Sequence, residues 1–77
     1  MVFSATLVLY MQQADPRLRD NIQPGLEVGI VQKQDQPTGK LTGGIVQDIL
    51  TSSAHHPHGI KVRLTTGEVG RVKHILS

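Results

Sequence analysis

The chain is 77 residues long, carries a formal net charge of +2 and contains no cysteine. That length makes one domain with a small core and marginal stability. The missing cysteines exclude disulfides and thiolate metal ligands and fit a reducing, cytoplasmic setting.

Met1 to Met11, "MVFSATLVLYM", is apolar. It is too short to span a bilayer and lacks the basic start and small-residue cleavage site of a signal peptide. No targeting or membrane segment is therefore expected. Thr6 to Tyr10 has strand character; the alternative is that translation starts at Met11 and residues 1–10 are an upstream extension. Asp15-Pro16 reads as an N-cap followed by proline at the first helical position, so Arg17 to Asn21 is expected to form one short helical turn. Pro24-Gly25 marks a turn.

From there the pattern is β. Leu26, Val28 and Ile30 alternate with Glu27, Gly29 and Val31, which predicts a half-buried strand. "KQDQPTGK", Lys33 to Lys40, is a polar exposed loop. "GIVQDIL", Gly44 to Leu50, is a second strand whose apolar positions break phase, which predicts a bulge near Gln47-Asp48. Thr51 to Gly59 is a loop. Ile60, Val62 and Leu64 alternate with Lys61 and Arg63, Thr65-Thr66-Gly67 connects a hairpin, and Glu68 to Lys73 returns. His74-Ile75-Leu76 reads as a short closing helical turn. The expected fold is all-β, a small barrel of four or five short strands. Residues 1–20 form an N-terminal extension and residues 21–77 the barrel domain.

The run from Asn21 to Leu76 resembles the YwbE family of small, mostly bacterial proteins of uncharacterised function. The resemblance rests on "PGLEV", "KQDQ", "TGKLT", "GIV", "DILT" and above all "HPHGIKVRL" followed by "GEVGRV", in that order. At the level of fold, the entry turn, the second strand and the "V-x-L-x-x-G-x-x-G-x-V" hairpin look like SH3-like barrels of KOW type. Such barrels occur in ribosomal proteins and transcription elongation factors, which implies an RNA or ribonucleoprotein partner.

Charge is unevenly placed. Residues 1–30 hold two basic and three acidic side chains, residues 31–77 six basic and three acidic. With a three-residue turn ending at Gly67, Lys61 falls opposite Arg71 on the outer face, with Arg63 diagonal and Lys73 beyond. Like charges in direct opposition destabilise a sheet, and phosphates offset that repulsion. The competing reading is a solvated face with splayed side chains. Lys33 and Lys40 bracket a loop that could present backbone N–H groups to phosphate, although the P-loop spacing is absent.

"HHPHG", His55 to Gly59, offers imidazoles but too few well-spaced ligands for zinc. A structural role, with Pro57 fixing φ and Gly59 permitting close approach, competes with contact between His56 or His58 and nucleic acid. Phe3 and Tyr10 are the only Phe, Tyr or Trp residues, so no platform of such rings is available for base stacking in residues 11–77. No paired-carboxylate or nucleophile motif is present, so an enzyme, a cofactor and a small-molecule substrate are not expected. The reading is a nucleic-acid-binding module, with RNA or a ribonucleoprotein as partner, using Lys33, Lys40, His56, His58, Lys61, Arg63, Arg71 and Lys73. The alternative is a protein-interaction module for an acidic partner or assembly.

Overall fold

Four antiparallel strands follow one another in the computed structural model, which describes residues 14–77: β1 (Glu27–Gln32), β2 (Thr42–Ile49), β3 (Lys61–Leu64) and β4 (Val69–Ile75). Each pairs with the next, and β4 returns to β1 to close the barrel. Closure removes the unpaired edges that a four-stranded open sheet would present. The fold is thus all-β, as the alternation implies. The strand-like stretch Thr6 to Tyr10 lies outside the described residues.

Strand alternation decides which side chains face inward. Val28 and Ile30 of β1, Val46 of β2, Val62 and Leu64 of β3, and Val72 of β4 are buried in one aliphatic cluster. Ile22, Ile60 and Ile75 complete it, with Ala14, Leu26 and Ile49 packed against its margin. A core of β-branched and leucine side chains fits a narrow barrel because their rotamers are few and their volumes similar.

Two bulges adjust the register. Val46 pairs with Leu64 but Asp48 pairs with Arg63, so Gln47 is the extra residue on β2. This is the bulge that the phase break implies. Gly29 pairs with His74 but Ile30 pairs with Val72, so Lys73 is the extra residue on β4. That second bulge lets β4 run on through Ile75, whose side chain turns into the core. In place of the helical turn expected at His74 to Leu76, His74 and Ile75 are strand and Leu76 follows its end. Its backbone is held along β1, where the Leu76 N–H donates to the Glu27 carbonyl at 2.8 Å.

The helical turn before β1 exists, but as a 3-10 turn over Arg19–Asn21. Asp15 does not cap it. Its carboxylate accepts from the Arg17 N–H at 2.9 Å and pairs with the Arg17 guanidinium at 3.0 Å, which favours a separate turn at Pro16-Arg17. Residues 16–19, placed in the extension by sequence, hydrogen-bond the loop between β2 and β3. Arg19 donates to the Ala54 carbonyl at 2.9 Å, His56 to that of Arg17 at 3.0 Å, and Ile60 to that of Pro16 at 3.0 Å.

β1 is more than half-buried, since Gly29 and Val31 are covered as well. Among the described residues, no helix is long and apolar enough to cross a membrane.

Candidate nucleic-acid interface

The hairpin has the register that its turn dictates. The Leu64 N–H donates to the Glu68 carbonyl at 2.8 Å and the Gly67 N–H to that of Leu64 at 2.9 Å. Lys61 consequently lies opposite Arg71, Val62 opposite Gly70 and Arg63 opposite Val69. Because Val62 and Gly70 face the core, Lys61 and Arg71 face out. Arg71 in turn pairs with Val31 of β1, so one outer row crosses three strands as Val31, Arg71 and Lys61.

That row floors two adjoining hollows. One, of about 410 Å³, is lined by Val31, Gln36, Gly39, His58, Arg71 and Lys73. The other, of about 430 Å³, adds Lys33, Gln34, Lys61 and Val69 around the same Val31, Gln36 and Arg71. The shared residues make them one groove. One wall is the loop after β1, which opens with a 3-10 turn at Lys33–Asp35. The opposite wall is the histidine loop and the base of the hairpin. Four permanent cations converge here, and no carboxylate is among the described lining residues. Low-dielectric walls around cations of one sign focus the field on the hollow between them.

The cations differ in how they are held. Lys61 is exposed. Arg71 is half-buried, with long contacts of 3.4 Å to the Gly59 carbonyl and 3.5 Å to the Thr51 hydroxyl, which also accepts from the Lys61 N–H at 2.7 Å. Lys73 donates to the His58 carbonyl at 2.7 Å, aimed there by the bulge it occupies. Of the opposed pair Lys61 and Arg71, only Arg71 has a carbonyl partner, that of Gly59. Arg63 is drawn off to Asp48 of β2 at 3.2 Å, an exposed pair worth little to stability.

The histidine loop is tied to the same groove. The His58 N–H donates to Nδ1 of His56 at 3.1 Å, which requires a neutral His56 ring. Burial, followed by the nearby Arg71 and the other loop charges, holds the His56 imidazole below its ordinary 6.5. The unfolded chain therefore takes up this proton at higher pH than the folded one. Stability from His56 is fully present above 6.5 and falls as pH drops below it, until the folded ring is also protonated. Urea midpoints are expected to fall between pH 7.5 and 5.5 in the parent. His56→Asn keeps an acceptor without titrating and should flatten that fall; a fall of equal size in the variant refutes the assignment.

The structure brings together Lys33, His58, Lys61, Arg71 and Lys73 of the residues expected from sequence. His56 supports His58 from behind, while Lys40 and Arg63 line neither hollow. Of the two readings of the Lys33 to Lys40 loop, a plain exposed loop and a backbone cradle for phosphate, the hydrogen bonds fit the first: the N–H groups of Gln36, Thr38, Gly39 and Lys40 donate within the loop itself. Among the described residues, no group of three or more His, Cys, Asp or Glu is placed to hold a metal ion. Sequence reasoning missed Val31, Gln34, Gln36 and Val69. The repeated glutamine in "KQDQ" was the one available signal.

A family model described as "Uncharacterized conserved protein (DUF2196)" matches residues 15–75. The "Uncharacterized protein YwbE" of Bacillus subtilis (strain 168) is 61% identical over 59 residues, covering 77% of this chain and 91% of that protein. No solved structure matches.

Proposed function

Because the chain belongs to the uncharacterised DUF2196 family, whose description carries no activity, we propose its function from geometry: a non-catalytic module that binds RNA, free or in a ribonucleoprotein. A cytoplasmic site of action is part of the proposal. The observation that carries it is the convergence of Lys33, Lys61, Arg71 and Lys73 on one groove without a lining carboxylate. Such a groove suits a chain of phosphates. The Lys73 and Arg71 contacts to carbonyls of the histidine loop fix the cations before a ligand arrives, which lowers the ordering cost of binding.

Fluorescence anisotropy of a labelled RNA across a salt series tests it. Four phosphate contacts predict a log–log slope of about −3, at roughly 0.7 per contact for a single strand. No RNA binding at low salt overturns the reading in favour of an acidic protein partner.

A further inference from the structure

The groove does more than gather charge. Its cations are not spread over a convex face but turned toward a common hollow, with half-buried Arg71 at the floor. Modules that take duplex RNA contact successive grooves along roughly 16 base pairs, which calls for separated contact points on a broad surface. Here the contact points converge. A duplex laid across the rim would meet the exposed Lys33, Lys61 and Lys73, while Arg71 would stay out of reach beneath it.

The floor and walls carry a second message. Val31 and Val69 are apolar lining beside the cations. The Gln36 carboxamide on one wall makes no hydrogen bond among the described residues, while its neighbour Gln34 donates to Gln32 at 3.2 Å. On the facing wall His58 is exposed, with its ring centroid 5.8 Å from that of His56. A free carboxamide offers a donor and an acceptor together, the pattern that reads a base edge. An imidazole offers a flat face on which an unstacked base can rest. Base faces are free only outside a duplex, and in duplex RNA the major-groove edges lie too deep for a side chain to read.

Resting on the RNA reading above, we infer that the groove takes a single strand, its phosphates on Lys33, Lys61 and Lys73 and, at the floor, Arg71, with one base held between Gln36 and His58. Cations supply affinity and the carboxamide supplies discrimination.

The test uses the full chain, a labelled eight-nucleotide RNA, and the same sequence annealed to its complement, at matched low salt. The single strand should bind at least about tenfold tighter, the worth of one well-held base. Gln36→Ala should erase most of that preference while leaving the weak duplex affinity at its parental value. Equal or tighter binding of the duplex overturns the inference but leaves the RNA reading standing. A single-strand preference untouched by Gln36→Ala overturns this placement of the base. Failure of both RNAs to bind takes the RNA reading down as well, so the two failures are distinct.

Discussion

Alanine at Gly59 is expected to leave most of the protein unfolded at room temperature. Gly59 has φ +99, and a Cβ built there would sit 2.3 Å from the carbonyl oxygen of Val72. That carbonyl cannot give way cheaply. Val72 is buried in the core, pairs with Ile30, and donates its N–H to the Ile60 carbonyl at 2.9 Å. Forcing a side chain into such a backbone conformation costs about 1–3 kcal/mol, and overpacking costs about 1–3 kcal/mol more. A chain of this size draws only about 3–5 kcal/mol from its core, so the sum is comparable with the whole. Gly67→Ala is the matched control, since φ is +103 there but nothing lies within 4 Å; it should carry the conformational cost alone. Circular-dichroism melts and urea titrations check the order. Equal melting temperatures for the two variants would show that the histidine loop can shift, and the close approach would lose its importance.

The same glycine shows how far sequence reaches. Its tight approach into the third strand was legible, because Pro57 and Gly59 bracket the turn just ahead of an alternating run. The facing strand was legible too, because the hairpin register carries Ile60 opposite Val72; the close approach of the Val72 carbonyl to Gly59 was not, since it depends on the backbone turn at φ +99. The hairpin register was legible because a three-residue turn and side-chain alternation leave one solution. The bulge at Gln47 announced itself by a break in alternation. The bulge at Lys73 hid behind the exposed pair Lys73-His74, which mimics the end of a strand.

Backbone contacts account for most of the remainder. Residues 16–19 join the loop between β2 and β3 mainly through backbone N–H and carbonyl groups, which leave no mark on residue type; the Arg19 guanidinium adds one side-chain contact, to the Thr51 carbonyl at 2.9 Å. Likewise Arg71 and Lys73 find their partners in the carbonyls of His58 and Gly59. Charge pattern alone placed these cations on one face and could not say which were already held. Val31 was read as the outward side of a half-buried strand; it faces out, yet is only 6% exposed and shares a hollow with Gln36 and Gly39.

That difference among the cations selects the variant that tests the interface. Lys33 and Lys61 are exposed, line the same hollow, and make no side-chain hydrogen bond or ion pair among the described residues. Changing both to glutamine removes charge while leaving length and polarity nearly intact. Stability should stay within about 0.5 kcal/mol of the parent, as for surface sites without partners. Arg71→Gln is a poorer probe, because losing the contacts to Gly59 and Thr51 loosens the histidine loop along with the charge. Two exposed phosphate contacts are worth up to about 1 kcal/mol each, so Lys33→Gln with Lys61→Gln should weaken RNA binding by roughly tenfold at low salt. The salt slope should flatten by about 1.4, at roughly 0.7 per contact, and the loss should be similar for every RNA sequence, since phosphates carry no sequence information. Leu64→Ala serves as the opposite control. It should cost about 2–5 kcal/mol of stability, and its folded fraction should retain the parental slope. If the double lysine variant binds as tightly as the parent at matched salt, the phosphates do not run along this groove.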